Sequence, residues 1–269
     1  MDYYTVRDIG NRTWQIEDPF DTYCYLLEGS REAVLIDTCN GLPGLSRLVE
    51  TLTEKPVFVL LTHGHADHTA AAYEFKKTLL DKKDEPVMRE GFHLAGKPAA
   101  LRHYEQLFSV TLPEEAEEYY CSVKAPEDIA YIHDGEVLDL GDRHLEIIET
   151  PAHTQGSICI LDQSNRMLFS GDTVCENEIL VYFPHSTSVE DVRTSNLKII
   201  GHAAEFDNIW PGHHRSPLTI ETCRDYIRAA ENVLEDEHIG KYVKLEEGYK
   251  LLYQYKKIGI SYLPGHITG

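Results

Sequence analysis

Two short β-type runs, Tyr23-Cys24-Tyr25-Leu26-Leu27 and Ala33-Val34-Leu35-Ile36, flank the turn Glu28-Gly29-Ser30. Apolar runs on either side of a glycine turn predict a β-hairpin. Leu45, Leu48, Val49 and Leu52 then recur at helical spacing, and the unbroken run Val57-Phe58-Val59-Leu60-Leu61 predicts a strand buried on both faces. That strand stops at Thr62, and residues 62–69 lead into a helical pattern expected to run to about residue 80. Residues 81 to about 133 read as mainly helical, over 94–110 and 113–123. Strands resume at His144-Leu145-Glu146-Ile147-Ile148, Ser157-Ile158-Cys159-Ile160-Leu161 and Met167-Leu168-Phe169. A helix from 189 to about 204, a short strand at Ile209-Trp210 and an amphipathic helix from about 220 to 237 follow. In the tail 241–257, the alternation of Tyr249, Leu251, Tyr253 and Tyr255 suggests strands. Its five Lys and two Glu fit a hairpin that guards a sheet edge better than a binding patch.

The 269 residues are 42% hydrophobic and 26% charged, the balance of a soluble globular protein rather than a disordered one. Lys and Arg number 25 against 45 Asp and Glu, a formal charge of −20. A phosphate backbone is bound mainly by clustered Lys and Arg, so nucleic acid is not an expected partner. No run approaches the roughly 18 apolar residues of a membrane span, and Met1-Asp2-Tyr3-Tyr4-Thr5 lacks a secretory pattern. The expected location is cytoplasmic, with no membrane association. Six scattered cysteines fit buried free thiols rather than a disulfide framework. Without repeats or a long linker, one domain over 1–269 is expected, with a helical insertion at about 81–133 and a helix-and-hairpin extension at about 218–269.

Chemistry concentrates in His63-Gly64-His65-Ala66-Asp67-His68, where three imidazoles and a carboxylate fall within six residues. In an extended loop His63 and His65 point to one side and can hold one metal. Asp67 and His68 come where the chain bends into a helix and can hold a second. Zinc prefers four N or O donors and a catalytic site leaves one position for water, so further ligands are needed. Three candidates sit at strand ends beside Gly or Pro: His153, Asp172 and His213. The assignment is His63, His65 and His153 on one metal, Asp67, His68 and His213 on the other, and Asp172 bridging both. His213 is preferred to its neighbour His214 on position, and Cys175, three residues past Asp172, is left as a spectator or a ligand.

The strings Thr62-His63-Gly64-His65-Ala66-Asp67-His68, Thr150-Pro151-Ala152-His153-Thr154-Gln155-Gly156-Ser157, Ser170-Gly171-Asp172-Thr173 and Pro211-Gly212-His213 resemble the ordered motifs of the metallo-β-lactamase-fold hydrolases. The resemblance runs from about residue 20 to 215. It implies an α/β fold, an αββα four-layer sandwich with the metals at one edge, and a supporting role for Asp37 beneath the ligand loop. Ala152 and His214 stand where the family usually has Gly.

Those expectations lead to hydrolysis, with a metal-bridging hydroxide as nucleophile and Asp67 as general acid/base. Asp172 at the bridging position resembles the thioesterases, lactonases and phosphodiesterases of the family, not its true β-lactamases. The glyoxalase II/lactonase-like branch is favoured, although the glutathione-binding basic residues of glyoxalase II are not recognisable in 176–188. The expected activity is dinuclear zinc hydrolysis of a small ester, thioester or lactone, with iron or manganese as alternative metals. A phosphodiesterase is the runner-up, ahead of a β-lactamase and a non-catalytic metal-dependent binding protein. Tyr182 and His185 are candidate substrate contacts. Phe92, Tyr104, Phe108, Tyr119 and Tyr120 of the insertion line an acyl pocket, pack the insertion, or form the face of a homodimer.

Overall fold

A computed structural model of the chain describes residues 3–94, 96–245 and 248–269. The expected helix over 94–110 includes Ala95, the tail strands include Glu246 and Glu247, and the N-terminal reading includes Met1 and Asp2; these five positions lie outside the described residues. The chain forms two compact units, one of residues up to Ile132 with Val137–His144, the other of His133–Glu136 with Leu145–Gly269.

In the first unit β1 (Thr5–Gly10), β2 (Thr13–Glu17), β3 (Tyr23–Glu28) and β4 (Ala33–Ile36) form an antiparallel meander. There follow α1 (Leu45–Leu52), β5 (Val57–Leu60), α2 (Ala66–Thr69), β6 (Thr78–Asp81), α3 (Glu85–Leu94), α4 (Pro98–Phe108), α5 (Glu114–Tyr120), β7 (Ile129–Ile132) and the short β8 (Val137–Asp139). Parallel neighbours need crossover connections, and the helical segments supply them: β4 to β7 run parallel and complete a seven-stranded sheet in chain order. Helix α1 buries Leu45 and Val49 against Cys24, Leu26, Leu35 and Val59. Each such side chain contributes about 1.5 to 3 kcal/mol, so Val49→Asp would weaken the packing of the helix by at least that much.

One expectation fails here and one hairpin has no sequence signal, both for local reasons. The helix foreseen to residue 80 ends at Thr69, because Thr78–Asp81 pairs with β5 and β7 and every one of its side chains is buried. A short, fully buried apolar run has no period that separates strand from helix. The β1-β2 hairpin went unread because its turn is Asn11-Arg12, both with positive φ, where a glycine would have been the visible signal.

The second unit contains β9 (His144–Glu149), β10 (Ile158–Asp162), β11 (Met167–Gly171), β12 (Ile179–Val181), α6 (Val189–Gly201), β13 (Asn208–Pro211), α7 (Ile220–Glu235), β14 (Lys241–Lys244), β15 (Tyr249–Tyr255) and β16 (Ile258–Tyr262). One sheet runs β13-β11-β10-β9 and another β12-β16-β15-β14. The tail is therefore three strands rather than a hairpin, with β16 parallel to β12. Lys241 and Lys244 are exposed on the edge strand β14, as the edge reading requires. Helix α6 starts at Ser188, whose hydroxyl oxygen accepts the Asp191 N–H at 3.1 Å. The buried residues Val192 and Ile199 of α6 and Tyr226, Ala230 and Val233 of α7 share a core with Leu161, Leu168 and Ile260. No helix among the described residues is long and apolar enough to cross a membrane.

Candidate metal centre

In the first unit the apolar strand β5 delivers Thr62 and His63 to its C-terminal end, and the chain turns at once into α2, carrying Asp67 and His68. This loop rests on Asp37, a residue at φ 61° just after β4. Aspartate tolerates the left-handed region better than most residues. Its buried carboxylate accepts the Thr62 N–H on Oδ1 at 2.7 Å, and on Oδ2 the Thr62 hydroxyl at 2.8 Å and His68 Nδ1 at 2.9 Å. With its own hydrogen committed to Asp37, the Thr62 hydroxyl accepts Nδ1–H of His63 at 3.0 Å. One carboxylate thus fixes the tautomer of two imidazoles and presents both Nε2 atoms as ligand atoms, the outer-shell arrangement typical of metal-bound histidine. The ring of His63 lies 4.9 Å from that of His65 and 4.2 Å from that of His68, centroid to centroid. Asp67 is partly exposed, with Oδ2 3.9 Å from His68 Nε2.

Gly64 is the position where the loop meets α3. A Cβ there would lie 2.6 Å from the Asp84 carbonyl oxygen and 2.8 Å from the Met88 nitrogen. Asp84, fully buried, accepts the Gly64 N–H at 2.7 Å and so clamps the peptide between His63 and His65. Two phenols of the insertion lie within electrostatic reach of Asp67. Burial pushes Tyr104 well up and Tyr120 up to about 12, with the Asp67 carboxylate adding in both cases. The insertion aromatics are engaged in packing. Tyr104 and Phe108 pack at tilted angles against Phe20 at 5.3 and 5.9 Å, Tyr119 donates to Glu74, and Phe92 packs on the sheet core.

In the second unit His153, Asp172 and His213 follow the ends of β9, β11 and β13. Nδ1 of His153 donates to the Leu180 carbonyl at 2.8 Å, which again turns Nε2 toward the site. Asp172 Oδ2 lies 3.5 Å from His153 Nε2 and 3.6 Å from His213 Nε2. These separations are too long for hydrogen bonds. Two ligands bound at 2.0 to 2.1 Å to a tetrahedral ion stand about 3.4 Å apart, so the spacing suits donors that share metals through one carboxylate oxygen. It is His213 that faces Asp172, while His214 takes a left-handed backbone beside it. Cys175 is buried and donates its thiol to the Gly171 carbonyl at 3.5 Å. Imidazole nitrogens and carboxylates with their outer atoms already anchored are a donor set that fits divalent metals in both units.

Tyr182 and His185 sit in the loop after β12, with Phe183 between them: its ring is 4.4 Å from Tyr182 and 5.2 Å from His185. Burial, then the Glu178 carboxylate, raises the Tyr182 phenol. Sequence reasoning missed Thr62, Asp84, Leu180 and Phe183. Thr62 had a signal in its place at the head of the first motif string and Phe183 in its place between Tyr182 and His185; Asp84 and Leu180 had none.

A model of the metallo-β-lactamase superfamily matches residues 18–213. The chain belongs to the metallo-β-lactamase superfamily. It is a metal-dependent hydrolase with that superfamily's α/β fold. It is 25% identical over 231 residues to the acyl-coenzyme A thioesterase MBLAC2 of Homo sapiens, covering 79% of this chain and 82% of the relative. It is 26% identical over 191 residues to the hydroxyacylglutathione hydrolase GloC of Haemophilus influenzae, covering 67% and 81%. Among solved structures, the metallo-β-lactamase FIM-1 from Pseudomonas aeruginosa in its mono-zinc form superposes with a TM-score of 0.60 at 15% identity, covering 86% of this chain and 96% of that one.

Proposed function

We propose that this superfamily member hydrolyses acyl thioesters at a dinuclear metal centre. His63, His65 and His153 would hold one ion, Asp67, His68 and His213 the other, and Asp172 both. The observation that carries the reading is the placement of His153 Nε2 and His213 Nε2 at 3.5 and 3.6 Å from a single oxygen of Asp172. The thioester is chosen because two relatives of different name, a thioesterase and a hydrolase of an S-acylated glutathione, share that chemistry. Zinc suits the donors, with iron or manganese as alternatives set by supply. The expected location remains cytoplasmic.

When bound, the metals supply Lewis acidity and bring the pKa of water from 15.7 to about 7. The residues do the rest. Asp37 and Thr62 hold His63 and His68 in the tautomer that ligates, and Asp84 fixes the loop between His63 and His65. Asp67, a partly exposed carboxylate beside His68, takes the proton of the attacking water and returns it to the departing thiolate as the carbon–sulfur bond breaks. The products are a thiol and a carboxylic acid, which releases the second proton of the water to solvent and leaves as the carboxylate.

Metal analysis of protein purified without chelator should give about two ions per chain. The loaded protein should cleave an acyl-coenzyme A in preference to a chromogenic phosphodiester, a lactone or a β-lactam. One ion or none after careful loading would remove the dinuclear centre, and preference for the phosphodiester would replace the substrate class.

A further inference from the structure

Three half-buried aromatic side chains stand in a row beside the candidate ligand His153 in the second unit. Phe183 is the middle of the row. Its ring meets the His153 imidazole edge-on at 6.3 Å with an interplanar angle of 73°, and lies nearly parallel to His185, at 20°. Tyr182 closes the other side at 4.4 Å and is itself held from behind: Lys250 Nζ sits 5.1 Å from the centre of its ring and 3.0 Å from the Glu178 carboxylate.

The row is built to stay in place. His185 O accepts the Gln155 N–H at 3.2 Å, the Ser186 hydroxyl donates to the His153 carbonyl at 2.7 Å, and Thr187 N donates to the Ala152 carbonyl at 3.0 Å. Together with His153 Nδ1 on the Leu180 carbonyl, these bonds join the loop to the ligand loop at both ends. An aromatic surface fixed to a metal ligand is pre-organised for whatever group hangs from the reacting carbonyl.

We infer that Phe183, flanked by Tyr182 and His185, forms the subsite for the acyl chain of the thioester, and that it sets chain-length preference. The inference rests on the proposed function insofar as that places the scissile carbonyl beside His153. Contact range favours the acyl half over the thiol half. A ring next to His153 is within a few bonds of a carbonyl held there, whereas the recognition groups of a coenzyme or a tripeptide thiol lie at the far end of a long arm. The middle ring, Phe183, carries no polar atom and offers a purely apolar face, while the polar atoms of the row belong to Tyr182 and His185 at its two sides.

Two measurements on the metal-loaded full chain test it. The first is calorimetric binding of uncleavable alkyl thioethers of coenzyme A carrying two to eight carbons. The second is kcat/KM for the matching acyl thioesters, with the thiol half varied among coenzyme A, glutathione and N-acetylcysteamine. Each methylene received by the row should strengthen binding about fourfold. In F183A that dependence should flatten, lowering the six-carbon to two-carbon selectivity at least tenfold, while F183L retains most of it and metal content stays at the wild-type value. A slope in F183A equal to wild type in both measurements overturns the subsite, as does a change that follows the thiol half instead of the acyl half. Failure of the loaded wild type to cleave any thioester, with chain-length-dependent thioether binding retained and lost in F183A, overturns the proposed reaction and leaves the subsite standing.

Discussion

Asp37→Asn separates the two duties of one buried carboxylate. Three donors converge on it: Thr62 N–H on Oδ1, and the Thr62 hydroxyl and His68 Nδ1 on Oδ2. An asparagine keeps the shape but offers one acceptor and one NH2. If its oxygen stays toward His68, the NH2 faces the Thr62 N–H at the 2.7 Å of the present bond, donor against donor. If the amide is turned over, the NH2 faces His68 Nδ1, which must then accept, so the proton moves to Nε2 and the ring cannot ligate. Without metal the second arrangement satisfies the groups cheaply. Ligation forces the first, which leaves a buried N–H unmet at about 1 to 3 kcal/mol, a five- to 150-fold loss of affinity. The figure agrees with the roughly 10- to 100-fold effect of outer-shell partners elsewhere. Chelator competition on wild type and Asp37→Asn measures the affinity, and urea unfolding of the metal-free proteins measures the fold. Weakened metal with nearly unchanged metal-free stability is expected. Wild-type affinity for both ions in the asparagine variant would refute the tautomer argument.

Gly64→Ala drives a Cβ onto backbone atoms of the Asp84 to Met88 turn, so it should cost about 1 to 3 kcal/mol in unfolding and lower metal occupancy; a neutral effect in both would contradict the close packing described. Removing metal with a chelator should lower the thermal midpoint reversibly, since an ion at 100 times its dissociation constant stabilises by about 2.7 kcal/mol; an unshifted midpoint would place the ions outside the folded structure. Tyr226 in α7 donates to the Cys175 carbonyl at 2.9 Å, so Tyr226→Phe should destabilise by about 1 kcal/mol, readable by urea unfolding. Burial pushes the Cys159 thiol up to about 11, against about 9 for an ordinary thiol. The native state therefore keeps this proton longer than the unfolded chain: the stability it contributes is complete below pH 9 and is lost as pH climbs through about 11. Urea midpoints recorded across pH 8 to 11 should fall, and Cys159→Ala should flatten the fall.

What the sequence made legible is what sits close together in it. The four candidate donors from His63 to His68 announce themselves because they fall within six residues, although Asp37 and Asp84 are what fix the loop that carries them. His153, Asp172 and His213 were readable because each ends an apolar run beside Gly or Pro. Asp84 and Leu180 were not. One acts through a carboxylate that reaches back 20 residues to Gly64 and the other through a backbone carbonyl, and neither leaves a trace in composition or period. The same holds for β12, whose three residues are too few to show alternation, and for β6, whose complete burial erases it.

The carbonyl that orients His153 belongs to Leu180 in β12, and β12 pairs along its length with β16, at Ile179 with Ile260, Leu180 with Ser261 and Val181 with Tyr262. The geometry of a ligand at position 153 is therefore completed by a strand more than a hundred residues later, well beyond the region that the family model spans. With the ligands as proposed, Leu180 gains its strand partner only once Ile258–Tyr262 has left the ribosome, and full metal affinity is expected only in chains that include β16. Truncation between α7 and β16 should then lower metal content, although every proposed ligand residue from His63 to His213 is still in the chain.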